Sequence, residues 1–115
     1  MGVYSLTLLE GYIALWRKYP ENEIKIRVAR PHVLSPSALL LSDYKNGFIT
    51  WDEYEKRFRK EILSRLDSRH ELERIAGLSK HENVRLLCYE KNPPCHRFLL
   101  MEMIEDFLTK SAKEE

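Results

Sequence analysis

The stretch Val84-Arg-Leu-Leu-Cys-Tyr-Glu-Lys-Asn-Pro-Pro-Cys-His-Arg97 constrains the fold more than any other. Val84 to Tyr89 has little polar alternation at its centre, which predicts a central strand covered on both faces. A proline-containing loop follows, and a helix opens at Cys95, His96 and Arg97. That helix carries Phe98, Leu99, Leu100, Met101, Met103, Ile104, Phe107 and Leu108, so it must be largely enclosed. A covered strand feeding an enclosed helix calls for a layered domain with other strands on either side.

The rest of the chain supplies those layers. Val3 to Leu6 is short but strand-like. Leu9, Tyr12, Ile13 and Trp16 recur at three and four, which predicts an amphipathic helix over 8–19 that Pro20 ends. Ile24-Lys-Ile-Arg-Val-Ala29 alternates with period two, as a half-buried strand does. Ser35-Pro36 reads as an N-cap followed by proline at the first helical position, with Gly47 as the stop. Thr50-Trp-Asp-Glu53 is a capping box, and Trp51, Tyr54, Phe58, Ile62 and Leu66 follow as a helical stripe. Glu53–Arg57, Glu55–Arg59 and Glu61–Arg65 are spaced to pair along it. Ser68-Arg-His-Glu71 is a second box, which predicts a bend or a new helix at Leu72 ending near Gly77. The order strand, helix, strand, helices, strand, helix argues for a small three-layer α/β domain, with a mainly parallel sheet of three or more strands and helices on both faces. The 115 residues make a single domain, with residues from about 110 fraying.

Composition removes several function classes. The formal net charge is +1, which exerts no global pull on nucleic acid or membrane. No apolar run approaches the ~20 residues of a transmembrane helix. The N-terminal residues lack the pattern of a secretory signal. Two cysteines do not make a disulfide framework, so a reducing cytoplasm is the expected setting. No Walker loop, Gly-x-Gly-x-x-Gly or Gly-x-Ser-x-Gly is present. A tyrosine-phosphatase loop is also missing, because Met101 stands where Cys95 would need an arginine.

With these pieces in order, the chain resembles the family known as domain of unknown function 488. The matching segments are Arg30-Pro31 after an Ile-Arg-Val strand, Leu34-Ser-Pro-Ser37, Asp43-Tyr-Lys-Asn-Gly47, Ile49-Thr-Trp-Asp-Glu-Tyr54 with Phe58, Leu86-Leu-Cys-Tyr-Glu-Lys91 and Cys95-His-Arg97. The resemblance implies a Rossmann-like α/β fold and carries no established activity. The family often has Asp-Val-Arg at the second strand, where this chain has Arg27-Val28-Ala29-Arg30.

Ligands of parallel sheets bind outside the carboxyl ends of the strands. If the strands leaving at Arg30 and Glu90 are parallel, Arg30 and the Cys95–Arg97 turn share one edge. A helix N-terminus favours an anion and lowers a thiol pKa. The expected site is therefore an anion site for a phosphorylated or carboxylated small ligand. Arg30, Arg97 and Glu90 are its ligand-binding candidates, with Cys95 as nucleophile and His96 as acid or base. The competing structural reading makes Cys95 a small core residue, exposes His96, and pairs Arg97 with Glu90 or a helix carboxylate. Cys88, in the middle of the apolar run, reads as core. A thiol–disulfide pair of Cys88 and Cys95 lacks the Cys-x-x-Cys spacing. A metal held by Cys88, Cys95 and His96 would need a fourth ligand such as His32 or His81, and no zinc spacing is present. No metal and no cofactor is assigned. Trp51, Tyr54 and Phe58 could stack on bases, but their spacing favours core. The alternative function is a non-catalytic module that binds protein or nucleic acid through the charged helical face over 51–77. His70 and His81 are expected at the surface.

Overall fold

The computed structural model describes residues 8–89 and 95–114, with the side chains of the last helix described to residue 109. The strand expected at Val3–Leu6 and the ligand candidate Glu90 lie outside the described residues. Strand β1 spans Leu8–Tyr12 and a 3-10 helix spans Ile13–Lys18. Strand β2 follows at Ile24–Arg27. Helices α1 (Ala38–Lys45), α2 (Trp51–Ser64) and α3 (Leu66–Ser79) lead to β3 (Val84–Cys88), and α4 spans His96–Glu114. The strands form a parallel sheet in the order β1-β3-β2. Among the described residues the chain is thus α/β with a three-stranded parallel sheet and several helices, the class expected, and compatible with a small Rossmann-like domain.

β3 is the central strand. Val84 pairs with Leu8 on one side and Ile24 on the other. Its side chains alternate between two faces. Val84, Leu86 and Cys88 join the main core with Ile26, Val28, Phe58, Ile75 and Leu100. Arg85 and Leu87 face the other way, where Tyr19 covers them.

The amphipathic helix predicted over 8–19 is a strand followed by a 3-10 turn. Gly11 is the physical reason. A methyl group there would sit 2.5 Å from Leu87 Cδ2 and 2.9 Å from Tyr19 Cζ. Only a residue without a side chain lets β3 and Tyr19 close over this point. Glycine also weakens a helix by about 1 kcal/mol relative to alanine, so the same residue argues against the helical reading. The strand pairing it permits outweighs a periodicity carried by four residues.

Three smaller corrections have local causes. The N-cap of α1 is Ser37, whose hydroxyl accepts from Leu40 N at 3.2 Å, and not Ser35. Ser35 instead donates its hydroxyl to His32 O at 2.7 Å, closing the loop after β2. The break between α2 and α3 falls at Arg65, and Ser68 is not a cap. Ser68 lies within α3, buried, and its hydroxyl donates to Val33 O. Glu55–Arg59 forms as expected at 3.3 Å, but Arg57 pairs with Asp43, and Arg65 donates to backbone carbonyls of Glu61 and Ser35. Gly47 ends α1 with φ 76°, the left-handed stop that glycine adopts freely. Thr50 caps α2 by accepting from Glu53 N at 3.2 Å.

Candidate functional site

Three elements converge on the carboxyl edge of the sheet. β2 ends and the chain runs through Val28, Ala29 and Arg30. β3 ends at Cys88, and α4 begins beside it at His96. Because β2 and β3 are parallel, these ends lie together. Among the described residues a pocket of about 150 Å³ at this edge is lined by Ala29, Arg30, Pro36, Leu41, Lys45, Cys88, Tyr89 and His96. Arg30 and Lys45 are exposed, while Cys88 and His96 are buried. Two cationic side chains thus stand beside an apolar wall of Pro36 and Leu41, above a floor of sulfur and imidazole.

The loop that carries Arg30 is held from several sides. His32 N donates to Ser35 Oγ at 3.3 Å, and Leu34 N donates to His32 Nδ1 at 3.0 Å. Burial, the largest influence, pushes the His32 pKa below its ordinary value, which keeps that ring nitrogen free to accept. Arg65 and Ser68 tie the same loop to the helices.

At the floor, His96 Nε2 lies 2.7 Å from the Val28 carbonyl oxygen. A carbonyl only accepts, so Nε2 carries the hydrogen and donates it. In the tautomer this contact selects, the Nδ1 lone pair lies on the other side of the ring. Cys95 Sγ is 3.7 Å and Cys88 Sγ 3.9 Å from that atom. The two sulfurs and the imidazole nitrogen all lie within 4.8 Å of one another. The edge of the Phe58 ring packs on His96 with centroids 5.7 Å apart. Phe58 continues a stack through Tyr54 to Trp51. Tyr54 and Phe58 are buried, so the aromatic stripe on α2 is core, and it backs the histidine.

Cys95 does lie at a helix N-terminus, and the Arg97 backbone N–H bonds its sulfur, which lowers the thiol pKa. Two stronger influences oppose it. A hydrogen bond with Cys88 and then burial push the Cys95 thiol well above its ordinary range. The expected thiolate-favouring helix end is outweighed by its surroundings.

Arg97 sits elsewhere than the sequence reading expects. It is 1 % exposed, lies over the Phe98 ring at 4.5 Å, and approaches Glu10 Oε1 at 3.4 Å. Its partner comes from β1, the segment read as a helix. The pocket lining therefore includes Arg30 and His96 of the expected residues, has Cys95 adjoining it, and leaves Arg97 in the interior. His32 is engaged in its own loop, and exposed His81 precedes β3, at the opposite edge from Cys88. His70 is exposed as expected. Sequence reasoning missed Lys45, Pro36 and Leu41. Their signal was the direction of α1, which starts from the β2 loop at this same edge.

Neither cysteine is in a disulfide. Among the described residues no helix is long and apolar enough to cross a membrane. The family model described as DUF488-N3a, the active DUF488-N3 subclade, matches residues 17–108. No curated protein and no solved structure matches the chain. The match covers both converging strands and the whole cysteine–histidine floor, and the chain belongs to the DUF488 family.

Proposed function

We propose that the pocket at the carboxyl edge binds a small phosphorylated or carboxylated ligand. Arg30 and Lys45 hold the anionic group, and Pro36 and Leu41 contact the apolar body. The convergence of two exposed cations on a partly apolar pocket with a buried cysteine–histidine floor carries this reading. Cations at the mouth steer an anion, and the apolar wall retains the rest of the molecule. His96 and Cys88 meet the ligand's inner end. A nucleophilic role for Cys95 has less support, because its thiol is buried and held protonated beside Cys88.

The alternative, a partner surface on the helical face over 51–77, has weaker support. Arg57, Arg59 and Arg74 are each engaged by a carboxylate, which leaves little net charge for phosphates. Calorimetry with ADP, ribose 5-phosphate and succinate tests the pocket. At least one of them should bind with Kd below about 1 mM, and Arg30→Ala and Lys45→Ala should each weaken it about tenfold. Binding that both variants leave unchanged would refute the assignment, as would no binding by any of the three.

A further inference from the structure

We propose that Cys88, Cys95 and His96 form a binding site for a thiophilic divalent cation of the zinc type, with one coordination position left open towards the pocket. The first support is distance. Tetrahedral zinc with Zn–S near 2.3 Å and Zn–N near 2.0 Å places sulfur about 3.5 Å from nitrogen and the two sulfurs about 3.8 Å apart. The observed S···N separations are 3.7 and 3.9 Å, and the three donor atoms lie within 4.8 Å of one another. Small side-chain rotations close that gap.

The second support is independent of the sulfurs. Metal-bound histidines usually donate their other ring N–H to a carbonyl or carboxylate, which fixes the tautomer and aims the lone pair. His96 does this with Val28 O at 2.7 Å. The ring is clamped further by the edge contact with Phe58. Its lone pair is thus aimed at the two thiols before any cation arrives.

Chemistry selects the class of cation. Two thiolates and an imidazole favour zinc and its softer relatives over magnesium or calcium, which take oxygen ligands. On binding, two S–H bonds break and their protons go to solvent. Two metal–sulfur bonds and one metal–nitrogen bond form, and no electron is transferred. The described histidines nearest in sequence reasoning, His32 and His81, do not complete the set, the first being hydrogen-bonded in its loop and the second exposed at the opposite edge. Three protein ligands with an open fourth position is the arrangement of a reactive zinc site, in contrast to a closed structural one. Cys88 and His96 line the pocket, so that position faces the ligand proposed above. The pocket reading supplies only the direction of this opening, and metal binding has its own readout.

The test is titration of the full chain, reduced and freed of metal with a chelator, with Co²⁺. The expected result is one equivalent bound, a thiolate-to-cobalt charge-transfer band, and strong visible bands of four-coordinate cobalt, all removed by one equivalent of Zn²⁺. Cys88→Ser and Cys95→Ser should each weaken binding at least about 100-fold, with folding checked by circular dichroism. If a serine variant does not fold, His96→Gln gives the same comparison without touching the sulfurs. A weak octahedral spectrum, or cobalt affinity that is unchanged in the folded variants, overturns the site. Inorganic phosphate added to the cobalt form should shift the visible bands, and unchanged bands would refute the open position. Phosphate or nucleotide binding without cobalt binding would leave the pocket standing and remove the metal.

Discussion

Arg85 and Cys88 stand three residues apart on the same strand, on opposite faces, and their surroundings differ in kind. Arg85 is engaged by several partners at once. It donates twice to Glu23 at 2.6 Å, once to the Glu10 carbonyl at 2.7 Å, and lies over the Tyr19 ring at 4.1 Å. Cys88 lies 3.9 Å from His96 Nδ1, shares that ring nitrogen with Cys95, and lines an open pocket. The first cluster spends its polar capacity on itself and holds the fold together. The second keeps lone pairs aimed at a common point, which is what a ligand or cation requires. Buried polar groups alone do not mark a site; polar groups left addressing one another loosely do.

The contrast can be broken by experiment. Removing Arg85 as Arg85→Ala leaves the Glu23 carboxylate, 3 % exposed, without its partner. The expected loss is about 3 kcal/mol in urea denaturation. A loss below about 0.5 kcal/mol, within the range of ordinary surface changes, would mean that this face is not structural after all. Gly11→Ala should cost about 2 kcal/mol by overpacking against Leu87 and Tyr19. A wild-type melting temperature for that variant would show that the strand has room to move.

A gentler test uses acid. Hydrogen bonds from Arg85 hold the Glu23 carboxyl below its ordinary range. Its stabilisation is fully present above the unfolded value near 4.3 and is lost as pH falls through the lower folded value. Wild type should therefore lose stability below about pH 4.3 more steeply than Arg85→Met. Glu71, lowered by Arg74, contributes equally to both proteins and cancels. Parallel acid limbs would remove the pair from the account. The smallest stability effect belongs to the other face. Cys88→Ala should cost only about 1 kcal/mol, yet abolish cobalt binding. Large destabilisation with intact binding would reverse the comparison.

The sequence made some of this visible and hid the rest for definite reasons. Val84–Cys88 was legible because a strand covered on both faces has no polar alternation to confuse it. Trp51, Tyr54 and Phe58 were legible as core because their spacing is helical and fourteen residues of α2 repeat it. Residues 8–19 were not, because five of them form a strand through pairing with β3, a contact more than seventy residues away in the chain. Arg30 and His96 could be joined through the parallel-sheet rule. The Arg97–Glu10 contact could not, since it depends on β1. Cys88 is a core residue, as its sequence surroundings say. Its second role appears only because the strand ends there, next to the start of α4.

The strand order has a consequence for how the molecule is made. Among the described residues β1 and β2 are the outer strands and are joined through β3. A nascent chain emerges from its N-terminal end, so β1 and β2 must wait unpaired until residues 84–88 arrive to separate and bond them. A chain cut before Val84 is expected to show helical circular dichroism but no cooperative melting. The residue that closes the ladder on β1 is Cys88, paired with Tyr12. Completing the sheet and delivering the first sulfur to the site are one event during synthesis.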